Sequence, residues 1–260
     1  MKTILIVGMG QIGRSIYELY KPLVDKYKLY YIDEKDIEPL DNIANAHSEI
    51  GEEELDLLDL DYMHMCITYN ESLFKMQVCN YIKEYLPALT IIHSTVDVGT
   101  TRAIYKEMGA PICYSPVMGI HPKLTESILT FEKIVAGITD AHTNDTILHL
   151  RDVGIKTRIY SNPENAETAK LLDTTYYGWN ILYMKEVFKY CKDYQLSFDE
   201  VYKTTNEIYN EGYEKLGMSN VVRPILKYIP NKIGGHCITP NCKIVRKYFY
   251  PAKIIIERDE

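Results

Sequence analysis

The stretch TILIVGMGQIGRSIYELY, residues 3–20, changes character twice. Four apolar residues, Ile4 to Val7, make a run of the length of a buried strand, and the residues after Gly13 carry the spacing of a helix. Between them Gly8, Gly10 and Gly13 stand in GxGxxG spacing. At the end of a strand, Gly8 permits a tight turn, Gly10 lets backbone approach a pyrophosphate, and Gly13 lets helix and strand pack closely. The N–H groups that open the helix, at Gln11 and Ile12, are then free to meet that anion.

A second run, KLYYID, ends in Asp33, twenty residues after Gly13. That context makes a weak motif specific. Asp33 is placed to accept hydrogen bonds from a ribose 2′-OH, and Glu34, with no adjacent Arg, repels a 2′-phosphate, so the expected cofactor is NAD and not NADP. Further strand candidates follow at 61–69, 89–95, 111–116, 133–138 and 156–161, with helical patterns between most of them. The implied architecture is α/β, a Rossmann-type doubly wound, mostly parallel sheet over residues 1–161, with its ligand crevice at the strands' C-terminal ends. Thr68 and Thr95 fall at such ends and join the cofactor-binding set. The competing reading is a glycine turn in an α/β protein that binds nothing.

The totals agree. Hydrophobic residues at 46% and charged residues at 25% are ordinary for a globular protein, which argues against disorder. A net charge of −7 argues against a nucleic-acid partner. No cleavage signal and no apolar run of about 18 residues is present, so a cytoplasmic location without membrane contact is expected. The six cysteines are too dispersed for a disulfide scaffold.

Residues 162–260 read as an all-helical second domain. Asn162 is placed to cap a helix that begins at Pro163. In that helix Leu172, Tyr176, Trp179, Tyr183 and Val187 recur as the expected core stripe, with Lys170, Thr174 and Gly178 on another face. NKIGGHCITPN, residues 231–241, follows near the end. His236, Cys237 and Cys242 lie close enough to suggest zinc, but adjacent side chains diverge, no CxxC is present and no fourth ligand is evident, so no metal is expected. Cys237 is either a nucleophile or a small buried cysteine in a glycine turn.

Four segments together resemble one family, the UDP-glucose/GDP-mannose dehydrogenases: the glycine fingerprint, HSTVDVGTT against a family STVPVGTT, AETAKLLDTTYYGWN against an AEAAKL-type helix, and GGHCI against the cysteine loop. The resemblance implies oxidation of a sugar CH₂OH to a carboxylate with two NAD⁺, through a thiohemiacetal and thioester on Cys237. It implies that Lys170 stabilises the oxyanion and that Thr95 positions water or the substrate hydroxyl. Gly234 and Gly235 allow a ligand to approach closely, and with His236 and Asn180 they are the candidate contacts of a sugar or nucleotide-sugar substrate; Asn180 reads equally as a helix-packing amide. A homodimer through the long helix is expected from the same likeness, as is a place in polysaccharide biosynthesis.

The departures are as specific. Val117 stands where the family carries a glutamate, and His121 stands where it carries a second one, from which His121 becomes a candidate base. Thr174 replaces a helix asparagine and Asn241 replaces an aspartate. The family also continues into a further nucleotide-gripping domain beyond the length of these 260 residues. The nucleotide grip is therefore expected to be weaker, supplied by a partner, or unneeded. Two alternatives follow: a two-electron dehydrogenase of the 6-phosphogluconate or 3-hydroxyacid type, and a non-catalytic NAD-binding partner subunit.

Overall fold

β1 (Lys2–Val7) pairs in parallel with β2 (Tyr27–Ile32) on one side and β4 (Tyr62–Met65) on the other. The computed structural model describes residues 1–35, 43–45, 59–120, 122–233 and 237–259. They divide into two units, Met1–Lys170 and Leu171–Glu260. In the first, β3 (Ala44–Asn45) lies outside β2, and β5 (Leu89–Ile92), β6 (Ile112–Tyr114), β7 (Lys133–Gly137) and β8 (Thr157–Ile159) continue beyond β4. Only β6 and β7 run antiparallel among the described pairs. The chain moves outward from β1 to β3 and then returns to β4, which puts the switch of direction, and the crevice it opens, at the ends of β1 and β4.

The apolar run of β1 follows from burial on both faces. Ile4 and Ile6 pack in one cluster with Ile16, Tyr17 and Tyr20 of α1 (Gln11–Tyr20). Leu5 and Val7 pack in another with Phe74, Val78 and Ile82 of α2 (Phe74–Tyr85). Among the described residues three further helices flank the sheet: α3 (Thr100–Met108), α4 (Leu124–Thr130) and α5 (Asp140–Arg151). The mostly parallel, doubly wound sheet expected from the sequence is the one observed.

α6 (Pro163–Asp193) begins in the first unit and supplies the spine of the second. Asn162 caps it as expected, its Oδ1 accepting from the Asn165 N–H at 2.8 Å. A π-helical segment, Asp199–Thr204, runs into α7 (Thr205–Lys215), and α8 (Ile238–Val245) and α9 (Tyr250–Asp259) follow. Every regular element of this unit is helical among the described residues.

The expected core stripe of α6 is corrected. Tyr176, Trp179 and Tyr183 are 63%, 40% and 61% exposed. The face turned inward is Leu171, Thr175, Gly178 and Leu182. The cause is close packing: a Cβ on Gly178 would lie 2.6 Å from Ile238 Cγ2 and 3.3 Å from Ile255 Cδ1, so α8 and α9 settle against the small residues. Bulk alone misplaced the stripe by about a third of a turn.

Candidate active site

The glycine turn is fixed by contacts that a side chain would break. Gly8 has φ +90°, its N–H donates to Ile32 O at 2.7 Å, and an added Cβ would meet the Cys66 backbone at 3.0 Å. A Cβ on Gly13 would sit 1.9 Å from Gly8 O, so α1 can rest on the turn only because that residue has none. Gly10 differs: nothing lies within 4 Å of its would-be Cβ. It occupies the N-cap of α1 without a side-chain cap, and the N–H groups of Gln11 and Ile12 in the following turn have no intrahelical acceptor.

Asp33 closes the other side. Its Oδ2 accepts from the Met9 N–H at 2.6 Å and its Oδ1 from the Lys35 N–H at 2.9 Å, which tie the end of β2 to the glycine turn. Gly8, Gly10, Asp33 and Thr68 line one cleft of about 830 Å³, with Arg14, Tyr69 and Tyr81 completing its wall. Open backbone at Gly10, free N–H groups at a helix start and a carboxylate at the end of β2 fit a dinucleotide. Arg14, which donates from Nε to Met9 O at 3.1 Å, was not anticipated there.

Thr95 is half-buried on the turn after β5, and its neighbour Ser94 donates from Oγ to Ile67 O at 2.5 Å, fastening that turn to the segment that carries Thr68. The following helix, α3, is held by a residue that sequence reading missed. Glu167 on α6 is fully buried and accepts from the Gly99 N–H, the Thr101 N–H and Thr101 Oγ at 2.6, 2.9 and 2.7 Å. Burial pushes its carboxyl up to about 7. Lys170, half-buried, stands one turn further along α6.

A polar chain also crosses the interior of this unit. His64 Nδ1 lies 2.7 Å from His93 Nε2, His64 Nε2 lies 2.9 Å from His149 Nε2, and His93 Nδ1 lies 2.8 Å from Ser115 O. Tyr27 OH donates to Asp152 at 2.5 Å at the far end. All three histidines are almost completely buried, and burial lowers each pKa, that of His64 to about 3. Neutral rings satisfy every contact in one way: His93 Nδ1–H donates to Ser115 O, His64 Nδ1–H to His93, and His149 Nε2–H to His64. Each of these histidines belongs to a different element, so no local spacing announces the chain.

In the second unit Cys237 is exposed at the N-cap of α8, and its carbonyl accepts from the Asn241 N–H at 3.1 Å. Asn241 is buried and donates from Nδ2 to Thr174 Oγ at 3.1 Å. Two residues chosen for their family positions thus meet. Asn180 spends its amide on Tyr176 O at 2.9 Å within its own helix, and it borders a groove of about 950 Å³ between α6 and the segment around Val201, Tyr202 and Arg223. Val117 is buried. His121, Gly234, Gly235 and His236 lie outside the described residues. Among the described residues no group of three or more His, Cys, Asp or Glu side chains could hold a metal ion.

No protein-family model matches the chain. A UDP-N-acetyl-D-mannosamine dehydrogenase of Methanocaldococcus jannaschii is 24% identical over 165 residues, 61% of this chain and 35% of that protein. Another, of Methanococcus maripaludis, is 25% identical over 154 residues, 58% and 33% of the two chains. The matched stretch spans about a third of each relative. The solved UDP-D-ManNAc dehydrogenase of Pyrococcus horikoshii superposes with a TM-score of 0.75 at 16% identity, over 99% of this chain and 68% of that one. The chain resembles the UDP-glucose/GDP-mannose dehydrogenases. A second fold likeness accompanies that one: the 3-hydroxyisobutyrate dehydrogenase of Mycobacterium tuberculosis, at TM-score 0.66 and 13% identity, is matched over 92% of its own chain and 99% of this one. Nucleotide-sugar dehydrogenases and hydroxyacid dehydrogenases share this architecture, so the fold alone does not choose between their reactions. No helix among the described residues is long and apolar enough to cross a membrane.

Proposed function

We propose that the chain is an NAD-dependent dehydrogenase, a divergent member of the UDP-glucose/GDP-mannose dehydrogenase family, that oxidises an alcohol of a sugar or nucleotide-sugar-like substrate. The observation that carries the reading is the cleft in which an open Gly10, an uncapped helix start and Asp33 converge. NAD, when bound, accepts the hydride. The chain's own part is to anchor the pyrophosphate on the first N–H groups of α1, to meet the adenosine ribose at Asp33, and to fix the Thr95 turn through Ser94 and Glu167.

In this reading Lys170 stabilises the alkoxide charge, and Cys237, exposed at the start of α8, adds to an aldehyde to give a thiohemiacetal. A second oxidation of that carbon, for which a second NAD⁺ would supply the hydride acceptor, gives a thioester, which water hydrolyses to the carboxylate and the free thiol. Asn241 and Thr174 support the start of α8 and carry no charge, so they cannot take the proton. His121 is assigned that task here, and Gly234, Gly235 and His236 the approach to the sugar.

One observation favours a second reading. The 3-hydroxyisobutyrate dehydrogenase is matched over nearly its whole length, and neither Val117 nor Asn241 is an acid. A two-electron oxidation would need Lys170 without Cys237. NADH formed per UDP-N-acetyl-D-mannosamine consumed separates the two. Two equivalents support the cysteine route, and one equivalent, retained in Cys237→Ser, supports the other. NAD binding by calorimetry with no turnover of any nucleotide sugar or hydroxyacid leaves a non-catalytic NAD-binding subunit.

A further inference from the structure

Lys133 opens β7 and is 2% exposed, yet no carboxylate is paired with it among the described residues. Its Nζ donates to two backbone carbonyls, Ser115 O at 2.7 Å and Pro116 O at 2.8 Å. An unprotonated amine has two N–H bonds, and these two carbonyls use both. An ammonium carries a third, which would have to be buried as well. The turn held in this way leads directly into Val117, where the family resemblance calls for a glutamate. Ser115 O is also the acceptor for His93, so lysine and histidine chain meet on one oxygen.

The groups that face Lys133 come from four elements. Lys170 on α6 opposes its charge, the thiols of Cys66 and Cys113 favour it, and His64 and His93 are buried and neutral. Burial is the largest influence and brings its pKa down to about 7. A lysine in such surroundings is more often part of a working site than of a solvated face.

We propose that Lys133 is a positioning residue of the dehydrogenase site: buried and acting as a neutral amine, it pins the Ser115–Pro116 segment, and with it the approach to Val117, through two carbonyls. The neutral, two-carbonyl state is independent of the proposed reaction, while its use in positioning rests on that reading. Protonation of Lys133 buries a charge and adds a third N–H that has no acceptor among the described residues. Dehydrogenation should therefore fall on the acid side of neutrality.

The test uses the full chain with ¹³Cε-labelled lysines. The Lys133 resonance, assigned by its loss in Lys133→Met, should titrate near pH 7. A midpoint above about 9, where ordinary lysines begin to titrate, overturns the proposal. Calorimetry with NAD on the same samples keeps the two readings apart. NAD binding with an ordinary Lys133 midpoint overturns Lys133 alone; a midpoint near 7 without NAD binding upholds the neutral lysine and overturns the positioning role.

Discussion

The two units hold their candidate groups by different means. In Met1–Lys170 the candidate cofactor cleft is made of backbone: a positive φ at Gly8, a missing Cβ at Gly13 and a carboxylate fastened to a main-chain N–H. In Leu171–Glu260 the cysteine sits at the mouth of a short helix steadied by side chains, Asn241 against Thr174 and Gly178 beneath Ile238. A site built from backbone tolerates little change in sequence, whereas one built from side-chain packing can keep its shape while its residues drift. The departures from the family pattern at Val117, Thr174 and Asn241 touch side chains, and the fingerprint glycines are all present.

The largest effect expected comes from acid, and it belongs to the first unit alone. His64, His93 and His149 are neutral in the folded chain because burial lowers their pKa, and each takes up a proton when the chain unfolds below about pH 6.5. The unfolded state then binds more protons, so stability falls as pH falls from about 6.5 toward the folded value, about 3 for His64. Each histidine contributes about 1.4 kcal/mol per pH unit; Glu167, raised to about 7, binds its proton in the folded chain first and opposes them by about the same amount, which leaves a net fall of about 3 kcal/mol per pH unit. Urea midpoints should drop steeply between pH 6.5 and 5, with loss of the first unit's structure. A flat profile over that range would show that the histidines carry charge in the folded chain.

Substitution at the glycines sharpens the contrast within the cleft. Gly13→Ala drives a methyl into Gly8 O and should cost about 3 kcal/mol or more, read from the urea midpoint. Gly10→Ala meets open space and should fold with a change under about 0.5 kcal/mol, while NAD affinity falls about tenfold because the methyl stands where the pyrophosphate approaches. Equal NAD affinity in Gly10→Ala and wild type would break the assignment of the cleft.

That difference also explains what could be read in advance. The fingerprint, Asp33 and the alternation of strands and helices are local patterns with one structural solution each, so sheet, helix start and cleft follow from the sequence. The face of α6 is not local. Tyr176, Trp179 and Tyr183 are large and apolar enough to suggest a core, but the inward face is chosen by how closely α8 and α9 can approach, and Thr175 and Gly178 allow the nearest approach. The histidine chain and Lys133 are hidden for a related reason. Their meaning depends on groups brought together from β4, β5, β7 and α5, and each alone reads as an ordinary strand or helix residue.

A smaller effect probes that misread face from the inside. Gly178→Ala gains about 1 kcal/mol of helix propensity, and against this its methyl must displace Ile238 Cγ2, at a typical overpacking cost of about 1–3 kcal/mol. A net loss of about 1 kcal/mol in urea unfolding is expected, confined to the second unit. A gain would show that α8 can withdraw without penalty.

The smallest effect on the folded chain is expected from the outside of the same helix. Tyr176 and Tyr183, one heptad apart and mostly exposed, make few contacts that folding depends on, so the double change to Ser should alter stability by less than about 0.5 kcal/mol. Its effect on association should be larger. Aromatic side chains at this density are costly to leave in water and are the residues that dominate binding energy where two surfaces meet. If the proposed homodimer forms through α6, the double variant should weaken dimerisation at least tenfold in sedimentation equilibrium while its unfolding curve overlays that of wild type. Wild-type protein that is already monomeric, or a variant that associates as tightly, would leave the aromatic face without a partner copy. The pair of measurements separates what α6 does for its own unit, through Thr175 and Gly178, from what its exposed face does for a second chain.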